Sequence, residues 1–152
     1  MAGCWINDQP YGETGLNGAV CGHFGVPVIL VSGDQTVCGE ALDLLGLVET
    51  AVVKVAHGRM AAECLPPELA QQKICEAAAR AVMRLRQGSA PSPLRPSTPI
   101  TLAIDFVQSE MADRAAVLPG AQRGPGRRIE YTAGDMLTLY QAFRAAQTLA
   151  RA

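Results

Sequence analysis

The sequence predicts a chain that begins as an α/β structure and ends as an α+β structure. Residues 26–31 are a continuous aliphatic and β-branched run, which is typical of a strand covered on both faces in a parallel sheet. Over residues 100–106 apolar and polar side chains alternate instead, which is typical of a sheet with one covered face. We therefore expect a parallel β-α-β unit, followed by a helix, two strands covered on one face and a C-terminal helix.

The first third of the chain supplies the parallel unit. Gly25 follows one predicted helix, as glycine commonly does at a helix C-terminus. Two apolar strands flanking a helix then predict parallel strands joined by a right-handed crossover. In chain order we expect a strand over residues 4–7, a turn over 8–12, a helix over 14–24, a strand over 26–31, a helix over 35–45 and a strand over 49–56.

The rest of the chain is divided by a proline-rich segment, residues 87–99, which indicates an exposed connection. Thr132 is placed to cap the last helix, with Asp135 three residues later in a near capping box. Helices are predicted over 66–86, 110–117 and 133–151, and strands over 100–106 and 127–132. The apolar stripe of the first of these helices is expected to be Ala70, Ile74, Ala77, Ala81, Val82 and Leu85.

Composition limits the class of protein. With 152 residues, 49% hydrophobic and 18% charged, the chain is long enough for one folded region, residues 1–152, that contains the proline-rich connection. No apolar run approaches the roughly 20 residues of a membrane helix, so a membrane protein is excluded. The N-terminus lacks a basic start and an apolar signal core, and the five scattered cysteines form no CxxC pair. A cytoplasmic protein with reduced thiols is expected.

Charge is unevenly distributed along the chain. The net charge is −1, but residues 1–76 carry nine acids against three basic residues, and residues 77–152 carry five acids against ten. Packing of one half on the other, or on a neighbouring subunit, would account for this asymmetry. Nucleic acid is not an expected partner, because the basic residues are dispersed and aromatic residues make up only 5% of the chain.

Two carboxylates have more than one interpretation. Glu13 lies between two glycine turns at a helix N-terminus, where it either interacts with the helix dipole or acts as a metal ligand. One carboxylate cannot hold a catalytic zinc ion, so the residues alone leave its role undecided. Asp34 follows a predicted strand and either caps the next helix or lies at a ligand crevice.

One continuous segment carries a family resemblance. Residues 5–17 read WINDQPYGETGLN and are followed by GVPV at 25–28 and VSGD at 31–34. This pattern resembles the DppA-type bacterial D-aminopeptidases, a family of zinc metallopeptidases. The likeness continues in order to Asp135-Met136-Leu137 and so covers nearly the whole chain.

The resemblance implies a hydrolase with a two-zinc centre that cleaves peptides beginning with a D-residue. Metal ions in such a centre lower the pKa of a bound water and polarise the scissile carbonyl. By motif match Glu13 is a zinc ligand and Asn17 has a substrate-binding role. The family also implies assembly into rings of identical subunits.

The sequence departs from the family pattern in its other metal ligands. In the family, carboxylates of a D-x-E-G segment and two histidines precede the matched string, whereas here the string begins at residue 5. The chain contains no D-x-E, and its two histidines, His23 and His57, match no ligand position. We therefore expect the C-terminal half of such an enzyme, as a gene fragment or half of a split enzyme, that binds zinc weakly and is inactive without an N-terminal half. The alternative is a non-catalytic assembly or regulatory module of the same fold.

Overall fold

A computed structural model describes residues 1–151. The chain divides into two compact units. One, here called the antiparallel unit, comprises residues 1–24 and the chain from residue 95 onward; the other, the mixed unit, comprises Gly25–Leu94. The second boundary lies within the proline-rich segment 87–99, where the sequence indicated an exposed connection.

Eight strands and five helices occur within the described residues. In chain order they are β1 (Gly3–Ile6), β2 (Gln9–Pro10), α1 (Glu13–His23), β3 (Leu30–Asp34), α2 (Gln35–Leu45), β4 (Glu49–Gly58), β5 (Ala61–Cys64), α3 (Pro67–Arg86), β6 (Ile100–Asp105), α4 (Ser109–Ala115), β7 (Gln122–Arg123), β8 (Arg128–Ala133) and α5 (Met136–Leu149). No helix in this part of the chain is long and apolar enough to cross a bilayer.

The antiparallel unit is built on one five-stranded sheet. Its strand order is β2-β1-β6-β8-β7, and all neighbouring strands are antiparallel. Helix α5 packs against β6, β8, α1 and α4. The largest side chains that this packing buries almost completely are Ile6, Leu102, Ile104, Phe106, Ile129 and Leu139.

A tight hairpin at the start of the chain positions the segment that leads into α1. Asn7 and Asp8 connect β1 to β2 with positive φ angles of 48° and 65°, the backbone that a two-residue type I′ turn requires. The Asn7 amide Nδ2 donates to the carbonyl of Ser97 at 2.8 Å, and its Oδ1 accepts from the amide of Thr101 at 2.8 Å. These bonds hold the turn against the unit, so β2 leads directly into α1.

The mixed unit contains the predicted parallel pair. Strands β3 and β4 are parallel and are joined through α2, and β5 adds an antiparallel edge strand. Helices α2 and α3 both pack against β3 and β4. The predicted β-α-β unit is therefore confirmed, while β5 is an element that the sequence pattern did not indicate.

Three local predictions need correction. The strand expected over 26–31 occupies Leu30–Asp34 instead, and Pro27, which has no amide hydrogen to donate, lies in the preceding irregular segment. On α3 the side chains of Val82 and Leu85 are 42% and 44% exposed and do not belong to the buried stripe. Helix α5 is capped by Asp135, not Thr132, because Thr132 still pairs with Thr101 in the sheet.

Candidate functional site

Glu13 is the first residue of α1 and follows Gly12, whose backbone is extended at the N-cap. Its side chain is exposed and lies at the positive end of the helix dipole. Asn17 lies one turn further along, and residues four apart share a helix face. The two residues singled out by the sequence therefore lie side by side, with buried Leu16 beside them.

These three residues form one wall of a cavity of about 340 Å³ within the antiparallel unit. The opposite wall is the polar face of α5, which packs directly against α1. We call this the α1–α5 cavity. Its α5 residues are Tyr140, Phe143, Arg144, Gln147 and Thr148, and Arg151, beyond the end of α5, also lines it. Arg151 follows the last helical residues, and the side chain of Met1 completes the lining.

The orientation of α5 follows from its cap and its apolar face. The Asp135 carboxylate accepts hydrogen bonds from the amide and the hydroxyl of Thr138, at 2.9 and 2.7 Å. These bonds stabilise the ionised carboxylate and lower the pKa of Asp135. Helix α5 buries Met136, Leu139 and Ala146, and Phe143, which is also buried, lies beside the polar α5 residues that line the cavity.

The charges of the α1–α5 cavity are unequal. Glu13 is the one acidic residue among its lining residues within the described chain, and Arg144 and Arg151 are its basic ones. Of residues 1–151, no carboxylate lies within ion-pair distance of either guanidinium group. The cavity can therefore receive an anionic group beside α5 and a cationic group beside Glu13.

No metal centre is assembled in the part of the chain that the structure describes: no three His, Cys, Asp or Glu side chains are grouped to hold an ion. His23 lines a different cavity, together with Arg95 and Asp135. His57 belongs to the mixed unit, where its Nε2 lies 3.5 Å from the carboxylate of Glu63. Neither histidine joins Glu13.

Asp34 has the capping role that was one of its two interpretations. Its Oδ1 accepts from the amides of Thr36 and Val37, both at 2.9 Å, at the start of α2. Sequence reasoning did not identify the polar residues of α5 as part of a site. Their spacing (140, 144, 147 and 148) was the available signal, since it places them on one helix face.

Three comparisons place the chain among known proteins. Residues 1–145 match the family model described as D-aminopeptidase. A curated D-aminopeptidase of Bacillus subtilis (strain 168) is 37% identical over 147 residues, which are 96% of this chain and 53% of that protein. The solved structure of the Zn-dependent D-aminopeptidase DppA from Bacillus subtilis, described as a self-compartmentalizing protease, superposes with a TM-score of 0.91 at 35% identity. That superposition covers 98% of this chain and 54% of the other, so the chain spans about half the length of these relatives.

Proposed function

Because the chain belongs to the D-aminopeptidase family, we propose that it forms about half of a zinc-dependent enzyme that removes D-residues from the N-termini of peptides. The resemblance seen in residues 5–17 is confirmed by the family match. The observation that carries the proposal is the similarity of nearly the whole chain to a Zn-dependent D-aminopeptidase, at a TM-score of 0.91 and 35% identity. The chain spans about half the length of these relatives, and the resemblance of residues 5–17 implies that this is the C-terminal half.

Glu13 is the zinc ligand that this chain contributes, and Asn17, its neighbour on α1, has a substrate-binding role. The support is geometric: both side chains lie on one face of α1 and line the same cavity. A carboxylate oxygen is one of the ligand types that zinc accepts in proteins. A two-metal centre is part of the same proposal.

The residues of this chain do not by themselves fit a zinc ion. A catalytic zinc site needs three protein ligands of the His, Cys, Asp or Glu type, and the lining of the α1–α5 cavity within the described residues offers only Glu13. Arg144 and Arg151 line the same space and oppose the binding of a dication. The remaining ligands therefore come from another polypeptide segment, and the chain on its own hydrolyses nothing.

The partners in this proposal are a peptide substrate, the missing half of the enzyme and further copies of the assembled protein. The self-compartmentalizing relative supports a homo-oligomer. We place the protein in the cytoplasm, consistent with five cysteines that form no CxxC pair and are free thiols in the described residues.

Reconstitution tests the proposal. The chain is mixed with a separately expressed portion of the Bacillus subtilis D-aminopeptidase that it does not cover, zinc is added, and release of D-alanine from D-alanyl peptides is measured. We expect hydrolysis from the mixture with zinc and none from either part alone. Glu13→Gln, which keeps the shape of the side chain but removes its charge, should abolish the activity. The control substitution Gln72→Ala, at an exposed position on α3, should leave the activity unchanged.

Peptidase activity with tightly bound, stoichiometric zinc in the purified chain would contradict the proposal. So would a reconstituted activity that Glu13→Gln leaves unchanged. Size-exclusion chromatography of each mixture shows whether the two parts associate, which separates a failure of assembly from a failure of catalysis.

The second candidate is a non-catalytic assembly or regulatory module. One observation favours it: among residues 1–151 the cavity lining contains a single side chain of the His, Cys, Asp or Glu type, which are the zinc ligands of proteins. This candidate predicts a stable folded chain that associates with no such half and restores no hydrolysis. The same chromatography and assay therefore distinguish the two functions.

A further inference from the structure

A second cavity, of about 280 Å³, lies at the other end of the α1–α5 helix pair and wholly within the antiparallel unit. Helix α1 lines it with Ala19 and His23 from its second half, and α5 lines it with its first residue, Met136. The α1–α5 cavity, in contrast, is lined by the start of α1 and the later turns of α5. We call the second one the Arg95 cavity, and it is also lined by Arg95, Thr98, Ile100, Gly134 and Asp135. The proposed function gives it no role.

Arg95 brings a partly unsatisfied guanidinium group to this cavity. Its Nε donates to the carbonyl of Gly22, in the last turn of α1, at 2.9 Å. Within residues 1–151 its two terminal nitrogens make no hydrogen bond, and no carboxylate lies within ion-pair distance of them. The bond at Nε holds the guanidinium group beside α1, and the N–H donors of the terminal nitrogens remain available to a ligand.

Two further donors line the Arg95 cavity. The imidazole of His23 carries at least one N–H donor in either protonation state, and its ring lies edge-on to Phe24 at 4.9 Å between centroids. Neither this imidazole nor the hydroxyl of Thr98 makes a hydrogen bond within residues 1–151. Arg95 and His23 are exposed residues, so a ligand reaches them from solvent. An always-protonated guanidinium group with two more donors favours an anionic acceptor, and its planar fork matches a carboxylate.

Asp135 is the one acidic residue in the lining of the Arg95 cavity among residues 1–151, and its charge is already balanced. Its carboxylate accepts from the amide and the hydroxyl of Thr138 at 2.9 and 2.7 Å, at the positive end of the α5 dipole. It still repels negative charge in the cavity. A carboxylate with a single charge is therefore favoured over phosphate, which carries more.

The apolar part of the lining sets the body of the ligand. Ala19, Ile100 and Met136 are all buried core residues whose surfaces line the cavity. An apolar surface next to a cation suits a ligand with a short aliphatic part and one anionic end. At about 280 Å³ the cavity is close to the lower limit of ligand sites, which restricts the ligand to a few carbon atoms.

We propose that the Arg95 cavity is a binding site for a small organic monocarboxylate. The carboxylate pairs with the terminal nitrogens of Arg95 and accepts from His23 and Thr98. The aliphatic part of the ligand packs on Ile100 and Met136. This inference goes beyond the proposed function and requires neither zinc nor the missing half of the enzyme.

Titration of the purified chain with butyrate tests the proposal. Backbone amide chemical shifts are followed as butyrate, butyramide or inorganic phosphate is added at constant ionic strength. Butyrate should shift the amides of residues 19–23, 95–100 and 134–136, and the shifts should saturate. Butyramide has the same shape without the charge and should bind about tenfold more weakly or worse. Phosphate should also bind more weakly than butyrate, because it meets the Asp135 carboxylate with more negative charge.

Variants of Arg95 assign the effect to its guanidinium group. Arg95→Gln should weaken butyrate binding about tenfold and leave butyramide binding unchanged. Arg95→Lys keeps the charge but loses the planar fork, so its affinity should fall between those of Arg95→Gln and the unaltered chain. Arg114→Gln is the matched control, because it removes an exposed guanidinium group that pairs with Glu110 outside the cavity. An unchanged melting temperature of Arg95→Gln excludes unfolding as the cause.

Two further variants test the cavity without altering Arg95. Asp135→Asn keeps an oxygen that caps α5 but removes the opposing charge, so it should strengthen butyrate binding about threefold. Gly134→Leu adds a side chain at a lining position where a Cβ has no neighbour within 4 Å, so the backbone accepts it. It should weaken the binding of butyrate and butyramide alike, because it occupies space in the cavity.

Equal binding of butyrate and butyramide would overturn the proposal, as would butyrate binding that Arg95→Gln leaves unchanged. Shifts that grow without saturation would also overturn it, and phosphate that binds more tightly than butyrate would show that the ligand class is wrong. The outcome is separate from that of the proposed function, because the titration involves no hydrolysis and no added metal.

Discussion

At the scale of single residues, Glu49 shows how one partly buried carboxylate fixes a helix to a sheet. Its carboxylate, with 16% of the side chain exposed at the start of β4, accepts from Arg84 Nη1 at 3.1 Å and from Arg80 Nε at 3.0 Å on α3. These hydrogen bonds hold the pKa of Glu49 below its ordinary value of 4.5, and the bond from Arg84 has the larger effect. The ionised form is therefore favoured by folding.

This pKa shift predicts a pH-dependent contribution to stability. Because the folded-state pKa is lowered, the stabilisation is complete above about pH 4.5 and is lost as the pH falls through the folded-state value. Glu49→Gln should lower the free energy of unfolding by about 1 kcal/mol at pH 7 and by much less at pH 3. Urea unfolding followed by far-UV circular dichroism at both pH values measures the difference.

An exposed ion pair provides the control for Glu49. Glu110 pairs with Arg114 at 3.6 Å with both side chains largely exposed, so Glu110→Gln should change stability less at either pH. A cost of Glu49→Gln that is the same at pH 7 and pH 3 would show that packing, not the charged hydrogen bonds, accounts for it.

The sequence identified one side of the candidate site and missed the other. Glu13 and Asn17 were found because their segment matches a specific string, and the structure places both in one cavity. Arg144 was not found, because a lone arginine on an amphipathic helix looks like any solvated residue until the facing helix is known. The pairing of α1 with α5 joins residues more than 120 positions apart, which spacing along the chain cannot reveal.

At the scale of secondary-structure elements, capping by Asp34 sets the start of α2. Asp34→Ala removes the acceptor of two backbone amides and should destabilise the helix by about 1 kcal/mol. Asp34→Asn keeps an oxygen at the same position and should cost much less. Hydrogen exchange of the Thr36 and Val37 amides should accelerate about fivefold in Asp34→Ala and little in Asp34→Asn. Equal exchange in the two variants would contradict the capping role.

Helices were predicted more accurately than short strands. The bounds of α2 were predicted at 35–45 and observed as Gln35–Leu45, because its spacing and its cap agree. In contrast, β2 has two residues and β5 is fully exposed, so neither carries an apolar pattern. Both strands exist because a hairpin partner supplies their hydrogen bonds, and such pairing depends on tertiary structure.

At the scale of the whole molecule, the charge asymmetry between the two sequence halves does not persist in the structural units. The antiparallel unit carries seven acidic and seven basic residues, and the mixed unit carries seven acidic and six basic residues. The asymmetry arises because the antiparallel unit is assembled from both ends of the chain. The charge difference between residues 1–76 and 77–152 therefore does not correspond to a charge difference between the two folded units.

The whole chain also makes a prediction about metal. Among residues 1–151, Glu13 is the one His, Cys, Asp or Glu side chain in the cavity lining. Zinc added to the purified chain should therefore be removed by gel filtration, so that less than one zinc ion per chain remains bound. The exposed thiols of Cys64 and Cys75 are themselves zinc ligands, so the measurement uses the Cys64→Ser, Cys75→Ser variant. Glu13→Gln in that background should retain no less zinc than its parent. One equivalent of zinc that survives filtration and disappears with Glu13→Gln would mean that this chain completes a metal site by itself, and the division of the ligands between two polypeptide segments would be wrong.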